Sequence, residues 1–173
     1  KDLDLLLTGF TGTGQISNIY KNDDGTFTES PVDLRDIDHG SVALGDYDMD
    51  GDLDIVQAGF DGTQSFSDIY QNDGGNFTHI TSLVAVQNSS VAWGDFDGDG
   101  DLDLLLTGLS SSGNPVAKVY RNNGNDDFSE DPRFPLTGVS QSSVAVGDYQ
   151  NDGKLDFVIT GWTGSGCSTT LYP

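Results

Sequence analysis

The segment GDFDGDGDLDLLLTG, residues 94–108, sets five aspartates at alternating positions directly against a run of leucines. Five carboxylates this close repel one another. The stretch is therefore either an acidic turn held in water or a loop gathered around a cation. The apolar run that follows is short, as strands are, and no segment of the chain has helical period or length.

The same segment occurs again as GDYDMDGDLDIVQAG at 45–59 and as GDYQNDGKLDFVITG at 147–161, and the chain opens on its tail, KDLDLLLTG. Other landmarks keep step with it. Tyr20, Tyr70, Tyr120 and Tyr172 recur about every 50 residues, the first three within Y-x-N, and Phe27, Phe77 and Phe128 follow in register. A period of this size is the signature of a repeat architecture, in which each unit buries its apolar surface against the next. The approximate units are 1–40, 41–89, 90–141 and 142–173, one repeat region covering 1–173.

Each full unit reads as four short strands, giving an all-β chain. The first is 41–45, 90–94 or 143–147. The second is 3–8, 53–58, 102–107 or 155–160, and the third runs through 116–121 and its equivalents. A turn of the type NDDG, NDGG or NNGN follows, a hairpin signal, and the fourth strand centres on Phe27, Phe77 or Phe128. The second strand is apolar at nearly every position, whereas a strand with one wet face would alternate, so it is expected to be covered on both faces. Four-stranded antiparallel units stacked face to face are the arrangement of propeller blades.

These units resemble the FG-GAP or VCBS-type repeats of integrin-like β-propellers over essentially the whole chain. The resemblance implies a four-stranded blade per repeat, a calcium loop between its first two strands and an extracellular or cell-surface setting. Counting strands gives three, four, four and three, with partial blades at both ends. A closed ring needs more blades. The chain is thus expected to be part of something longer, or one link in an assembly of neighbouring copies.

The loop has the form D-x-D-x-D-G-x-L-D. Closely spaced oxygen donors suit a hard cation, and calcium takes six to eight oxygens in tolerant geometry while magnesium demands a strict octahedron. No soft ligand favours zinc or copper. Carboxylates at positions 1, 3 and 5 with glycine at 6 match the first half of an EF-hand loop, without its closing glutamate or its helices. The leucine at position 8 is expected to point into the core. By the resemblance, side chains at 1, 3, 5 and 9 ligate, with the backbone carbonyl of 7. This assigns Asp46, Asp48, Asp50 and Asp54 with the carbonyl of Asp52, and Asp95, Asp97, Asp99 and Asp103 with that of Asp101. A weaker third site comprises Asp148, Gln150, Asp152 and Asp156 with the carbonyl of Lys154, because Gln150 removes a charge and Lys154 adds one of opposite sign. Asp4 stands at position 9 of an incomplete first site.

The formal net charge is −21, and more than half of the 28 acidic residues lie in these loops and their N-terminal remnant. That balance argues against nucleic acid and anionic membrane surfaces as partners. No apolar run approaches the roughly 20 residues of a membrane-spanning helix, so no membrane insertion is expected. No signal peptide is seen, and the abrupt start fits a mature or cropped chain.

No catalytic set emerges, and the chain is read as a non-enzyme. His39 lies beside Asp38 and near Ser41, but triads are defined by geometry and not by sequence adjacency. Cys167 has no neighbour that would lower its pKa and reads as a small buried residue or an inert thiol. TGTG at 11–14 and TGSG at 163–166 lack the spacing of phosphate-binding loops. Phe10, Phe60, Leu109 and Trp162 begin loops after the second strands; packing between units is favoured for them, with ligand stacking as the other role. Asn76 and Asn88 head N-x-S/T sequons, both expected to be exposed.

The expected function is an extracellular calcium-binding repeat module for adhesion or recognition of protein or carbohydrate. The other expectations are a structural unit of a fibre or array, and an accessory propeller of a larger secreted enzyme.

Overall fold

The computed structural model describes residues 3–173; Lys1 and Asp2, which open the first-unit loop remnant, lie outside the described residues. The described chain is all β. Three antiparallel strands come first: β1 (Leu5–Phe10), β2 (Gln15–Asp23) and β3 (Thr26–Glu29). Seven form one continuous sheet: β4 (Asp38–Gly45), β5 (Asp54–Phe60), β6 (Ser65–Asp73), β7 (Asn76–Gly94), β8 (Asp103–Ser110), β9 (Pro115–Asn122) and β10 (Phe128–Glu130). The last three are β11 (Ser140–Gly147), β12 (Asp156–Trp162) and β13 (Cys167–Tyr172). No helix long and apolar enough to cross a membrane is present among the described residues.

The expected succession of short strands is present, with two corrections. The second strands begin one or two residues later than the apolar run suggested, at Leu5, Asp54, Asp103 and Asp156. The aspartate at position 9 therefore starts the strand, and the leucine at position 8 belongs to the loop. Second, the fourth strand of the second unit and the first strand of the third are a single 19-residue strand, β7. Its early part pairs with β6 and its later part with β8, with register shifts on both sides. The hairpin signals that separate strands elsewhere are missing between Phe77 and Gly94, so nothing in the chain breaks the pairing there.

The register of the second and third strands repeats. Leu5 pairs with Tyr20, Ile55 with Tyr70, Leu104 with Tyr120 and Phe157 with Tyr172. One residue on, Leu6 pairs with Ile19, Val56 with Ile69, Leu105 with Val119 and Val158 with Leu171. Because alternate residues face opposite sides of a sheet, the first set lines one face of each unit and the second set the other. Burial follows the stacking of units. Leu6 and Ile19 pack against Ile55 and Tyr70. Val56 and Ile69 pack with Leu104 and Tyr120. Leu105 and Val119 pack with Phe157 and Ile159. Strands β5 and β8 are buried at almost every position, as the uniform apolar runs implied, while β1 is mostly exposed.

The first strands of successive units are also tied together. The Val91 N–H donates to Ser41 Oγ at 3.3 Å, and the Val144 N–H donates to the equivalent Ser90 Oγ at 3.2 Å. Each of these strands carries an irregularity in the same place, where His39, Asn88 and Gln141 adopt left-handed backbone (φ 47°, 50° and 47°). These three residues, with Thr8 and Gly9 of the first unit, line one cavity of about 350 Å³ to which all four units contribute. Asn88 is thus a half-buried strand residue, not the exposed loop site expected, whereas Asn76 is exposed at its hairpin. Cys167 is exposed at the start of β13, contrary to the buried position expected for a small apolar residue.

The glycine that ends each first strand permits close approach of the next unit. A Cβ on Gly45 would lie 2.7 Å from Trp93 Cδ1 and 3.0 Å from Leu102 Cδ1, whereas one on Gly147 would meet nothing within 4 Å. Gly45→Ala is expected to destabilise the protein by about 1–3 kcal/mol through overpacking, and Gly147→Ala by less than about 0.5 kcal/mol. Paired denaturant unfolding curves of the two variants check this.

Candidate metal centres

Each aspartate loop is shaped by its own backbone. In the second unit the Gly51 N–H donates to Asp46 Oδ2, the Asp50 N–H to Asp48 Oδ1 and the Asp52 N–H to Asp50 Oδ1, at 3.1, 3.2 and 2.8 Å. The third unit repeats this with Gly100 to Asp95, Asp99 to Asp97 and Asp101 to Asp99. In the fourth, Gly153 donates to Asp148 and Lys154 to Asp152. The glycine at position 6 has φ of 97°, 99° and 86°, the left-handed turn for which it was singled out. Position 4 is left-handed too, at Met49, Gly98 and Asn151. Its varied residue types gave no signal of that in the sequence.

These turns fold the odd-numbered side chains inward. Asp46, Asp48 and Asp50 each bring a carboxylate oxygen within 4.8 Å of the others, and so do Asp95, Asp97 and Asp99. Either triplet could hold a metal ion. The fit is supported independently by Asp46 Oδ1, which is buried and has no hydrogen-bond partner. An orphaned buried carboxylate oxygen is costly unless a donor or a cation satisfies it. The fourth-unit loop has the same backbone pattern, but Gln150 takes the place of the middle carboxylate.

The position-9 aspartates of the second, third and fourth units are each held by two backbone donors. Asp54 accepts the Tyr47 N–H on Oδ2 at 2.9 Å and the Asn72 N–H on Oδ1 at 2.8 Å. Asp103 accepts from Phe96 and Asn122 in the same way, and Asp156 takes the N–H groups of Tyr149 and Gln150. All three are buried. Burial pushes the carboxyls of Asp54 and Asp103 up to about 6, against the pull of their backbone donors. In the first unit Asp4 accepts the Asn22 N–H at 2.9 Å, the same brace. The asparagine of Y-x-N adds its side chain: Asn22 and Asn72 donate Nδ2–H to the carbonyls of Leu3 and Leu53 at 3.0 and 2.9 Å and accept the N–H of Gly25 and Gly75 on Oδ1.

The middle residue of Y-x-N reaches the loop as well. Gln71 Nε2 donates to Asp48 Oδ2 at 2.5 Å. In the third unit Arg121 stands at that position, with Nε 2.9 Å from Asp97 Oδ2 and Nη2 2.9 Å from Asp99 Oδ2. Arg133 adds a second guanidinium 3.0 Å from Asp97 and also pairs with Asp131, which holds the Asp131 carboxyl below the usual range. The two loops read as equals in sequence therefore differ: one faces an amide, the other two guanidinium groups. Asp52 uses its side chain to accept the Gly74 N–H at 2.9 Å, which leaves its backbone carbonyl for other work. Leu53, expected to anchor its loop in the core, is 52% exposed. Leu102 instead packs beside Gly45 and Leu155 beside Gly94, each on the preceding unit. Leucine at position 8 is a contact between units, and among the described residues no preceding first strand covers Leu53.

The profile of FG-GAP-like repeats matches residues 58–106 and 106–159. The chain belongs to this repeat family. No curated protein is similar enough to be matched. In an FG-GAP-type protein the recurrence of loop, brace and Y-x-N together in the second and third units is the repeat itself, read at the level of hydrogen bonds.

Two outcomes follow from these contacts. Asp54→Ala strands the N–H groups of Tyr47 and Asn72 and is expected to cost at least about 2 kcal/mol even in chelator, as chemical denaturation will record. Arg121→Gln frees Asp99 and leaves Asp97 with Arg133 alone, and is expected to tighten cation binding at 95–103 by up to about fivefold, the scale of a partly exposed ion pair. Calorimetric titration against the unaltered protein measures that change.

Proposed function

We propose that the chain is an extracellular, non-enzymatic FG-GAP module of propeller type, stabilised by calcium and serving adhesion or the recognition of protein or carbohydrate. The observation that carries the reading is the pair of aspartate triplets, with the unsatisfied buried oxygen of Asp46 in one of them. Flexible, oxygen-only donor sets suit calcium better than magnesium, and extracellular calcium modules bind at about 0.1–1 mM. In the second loop Asp46, Asp48 and Asp50 would hold the ion with the carbonyl of Asp52, and Asp54 would complete the set. In the third, Asp95, Asp97, Asp99, Asp101 and Asp103 take the same roles, with weaker binding because two guanidinium groups compete. Asp148, Gln150, Asp152, Lys154 and Asp156 form the weakest site.

The propeller reading is supported by the serine-to-backbone links between successive first strands and by the cavity lined from all four units. Strands repeating about an axis would produce both. The extracellular setting is supported by the usual occurrence of FG-GAP repeats. Recognition is supported by the loops that leave the far ends of the second strands, at Phe10, Phe60, Leu109 and Trp162. Phe10 and Trp162 are exposed, 59% and 41%, while Phe60 and Leu109 are half-buried. Aromatic side chains beside small polar residues stack on sugars and grip proteins.

Thermal unfolding in calcium, in equal magnesium and in chelator tests the metal part. Calcium is expected to raise the melting temperature well beyond magnesium, and Asp46→Asn with Asp48→Asn to remove the largest share of the gain. A melting temperature indifferent to chelator rejects the reading.

A further inference from the structure

Near the start of each first strand lies an irregularity that the aspartate loops do not require. His39, Asn88 and Gln141 occupy equivalent positions in β4, β7 and β11, and each adopts left-handed backbone at the register shift with the neighbouring second strand. Glycine takes that conformation without strain, whereas other residues do not. All three positions nevertheless carry a polar side chain. Strained backbone of this kind clusters at ligand-binding sites. The aspartate loops follow the opposite ends of the same strands: six positions separate His39 from Gly45, about 20 Å of extended chain.

The three residues line the cavity of about 350 Å³ together with Thr8, Ser89 and Ser142. Strands β4, β7 and β11 lie against one another there, so its walls are interior segments of the chain. Its polar groups are uncommitted. Asn88 is half-buried, yet among the described residues its carboxamide has no hydrogen-bond partner, and neither does that of Gln141. The His39 Nδ1–H donates to Asp38 Oδ1 at 2.8 Å, and Gln15 Nε2 donates to Asp38 Oδ2 at 3.3 Å. That pairing orients the imidazole and leaves its Nε2 without a partner among the described residues.

From this we infer, within the recognition reading proposed above, that the cavity is the ligand site and takes the end of a neutral glycan, with Asn88, Gln141 and His39 Nε2 holding its hydroxyls. A carboxamide both donates and accepts, as does each hydroxyl of a sugar, so the two are matched whichever way the amide is turned. No lysine or arginine lines the cavity, and the chain carries a formal charge of −21, so an anionic ligand would be repelled. The volume suits a small ligand or the terminal part of a longer one. Apolar surface for stacking stands close by along the strands. Phe60 pairs with Asp38 and Trp162 with Ser140, each beside a left-handed residue, and Phe10 follows Gly9 of the cavity wall. The exposed rings of Phe10 and Trp162 offer flat faces to a sugar.

Glycine substitution separates a ligand role from a structural one, because glycine suits the backbone at Asn88 and Gln141 and removes only the side chain. Asn88→Gly and Gln141→Gly are expected to leave the melting temperature within about 3 °C of the unaltered protein. The chain, made in a host that does not glycosylate asparagine, is screened against immobilised neutral hexose and N-acetylhexosamine oligosaccharides, with uronate-rich and sulfated glycans alongside. Calorimetry with the best neutral binder then compares the variants. Binding to a neutral glycan is expected, weakened at least about tenfold when both glycines are introduced together. Neutral binding that both glycine variants retain and Trp162→Ala removes overturns the assignment to the cavity, while recognition by the strand-end loops stands. Lost binding accompanied by a large fall in melting temperature marks the residues as structural and overturns it as well. Binding to acidic glycans alone overturns the neutral ligand. A chain that binds no glycan overturns the inference together with the carbohydrate half of the recognition reading, leaving protein as the partner.

Discussion

The internal second strands β5 and β8 are apolar on both faces, and both faces are buried. An isolated four-stranded sheet covers its backbone hydrogen bonds but not its sides. Stacking solves this: Val56 and Ile69 meet Leu104 and Tyr120, and Leu105 and Val119 meet Phe157. Close approach requires glycine at 45 and 94, where a Cβ would lie 3.0 Å from Leu102 and from Leu155 of the next unit. The serine-to-backbone links then hold neighbouring first strands in register. The repeat is therefore a consequence of mutual burial, and no unit is self-sufficient.

The aspartate loops depend on that stacking and add a polar layer to it. A buried carboxylate is tolerable only when its oxygens are satisfied. Asp54 and Asp103 meet this with two backbone donors each, which lock the loop to the third strand before any ion is considered. The carboxylate triplet is a second arrangement, where Asp46 keeps an oxygen unsatisfied. The same brace recurs at Asp4, which accepts the Asn22 N–H.

The units are similar in sequence but unequal in electrostatics. Gln71 and Arg121 occupy the same place in Y-x-N, yet one offers an amide to Asp48 and the other a guanidinium to Asp97 and Asp99. Arg133 enters from beyond the fourth strand and adds a further positive charge at Asp97. A guanidinium satisfies the carboxylates and also competes with a cation for them. The third-unit loop thus has an internal counter-charge that the second-unit loop lacks.

The all-β class, the period near 50 residues, the left-handed glycine and the inward carboxylates at positions 1, 3 and 5 were legible in the sequence. Each is a local matter: alternation, turn chemistry and charge spacing act within a few residues. What the sequence left open involved residues far apart in the chain. The fusion of two strands into β7, the exposure of Leu53, the bracing role of Asp54 and Asp103, and the reach of Arg133 to Asp97 across 36 positions depend on which unit lies beside which. Leucine at position 8 is the clearest instance. The sequence marks it as apolar in every loop, but only the presence of a neighbouring glycine decides whether it is buried, because its partner belongs to the preceding unit.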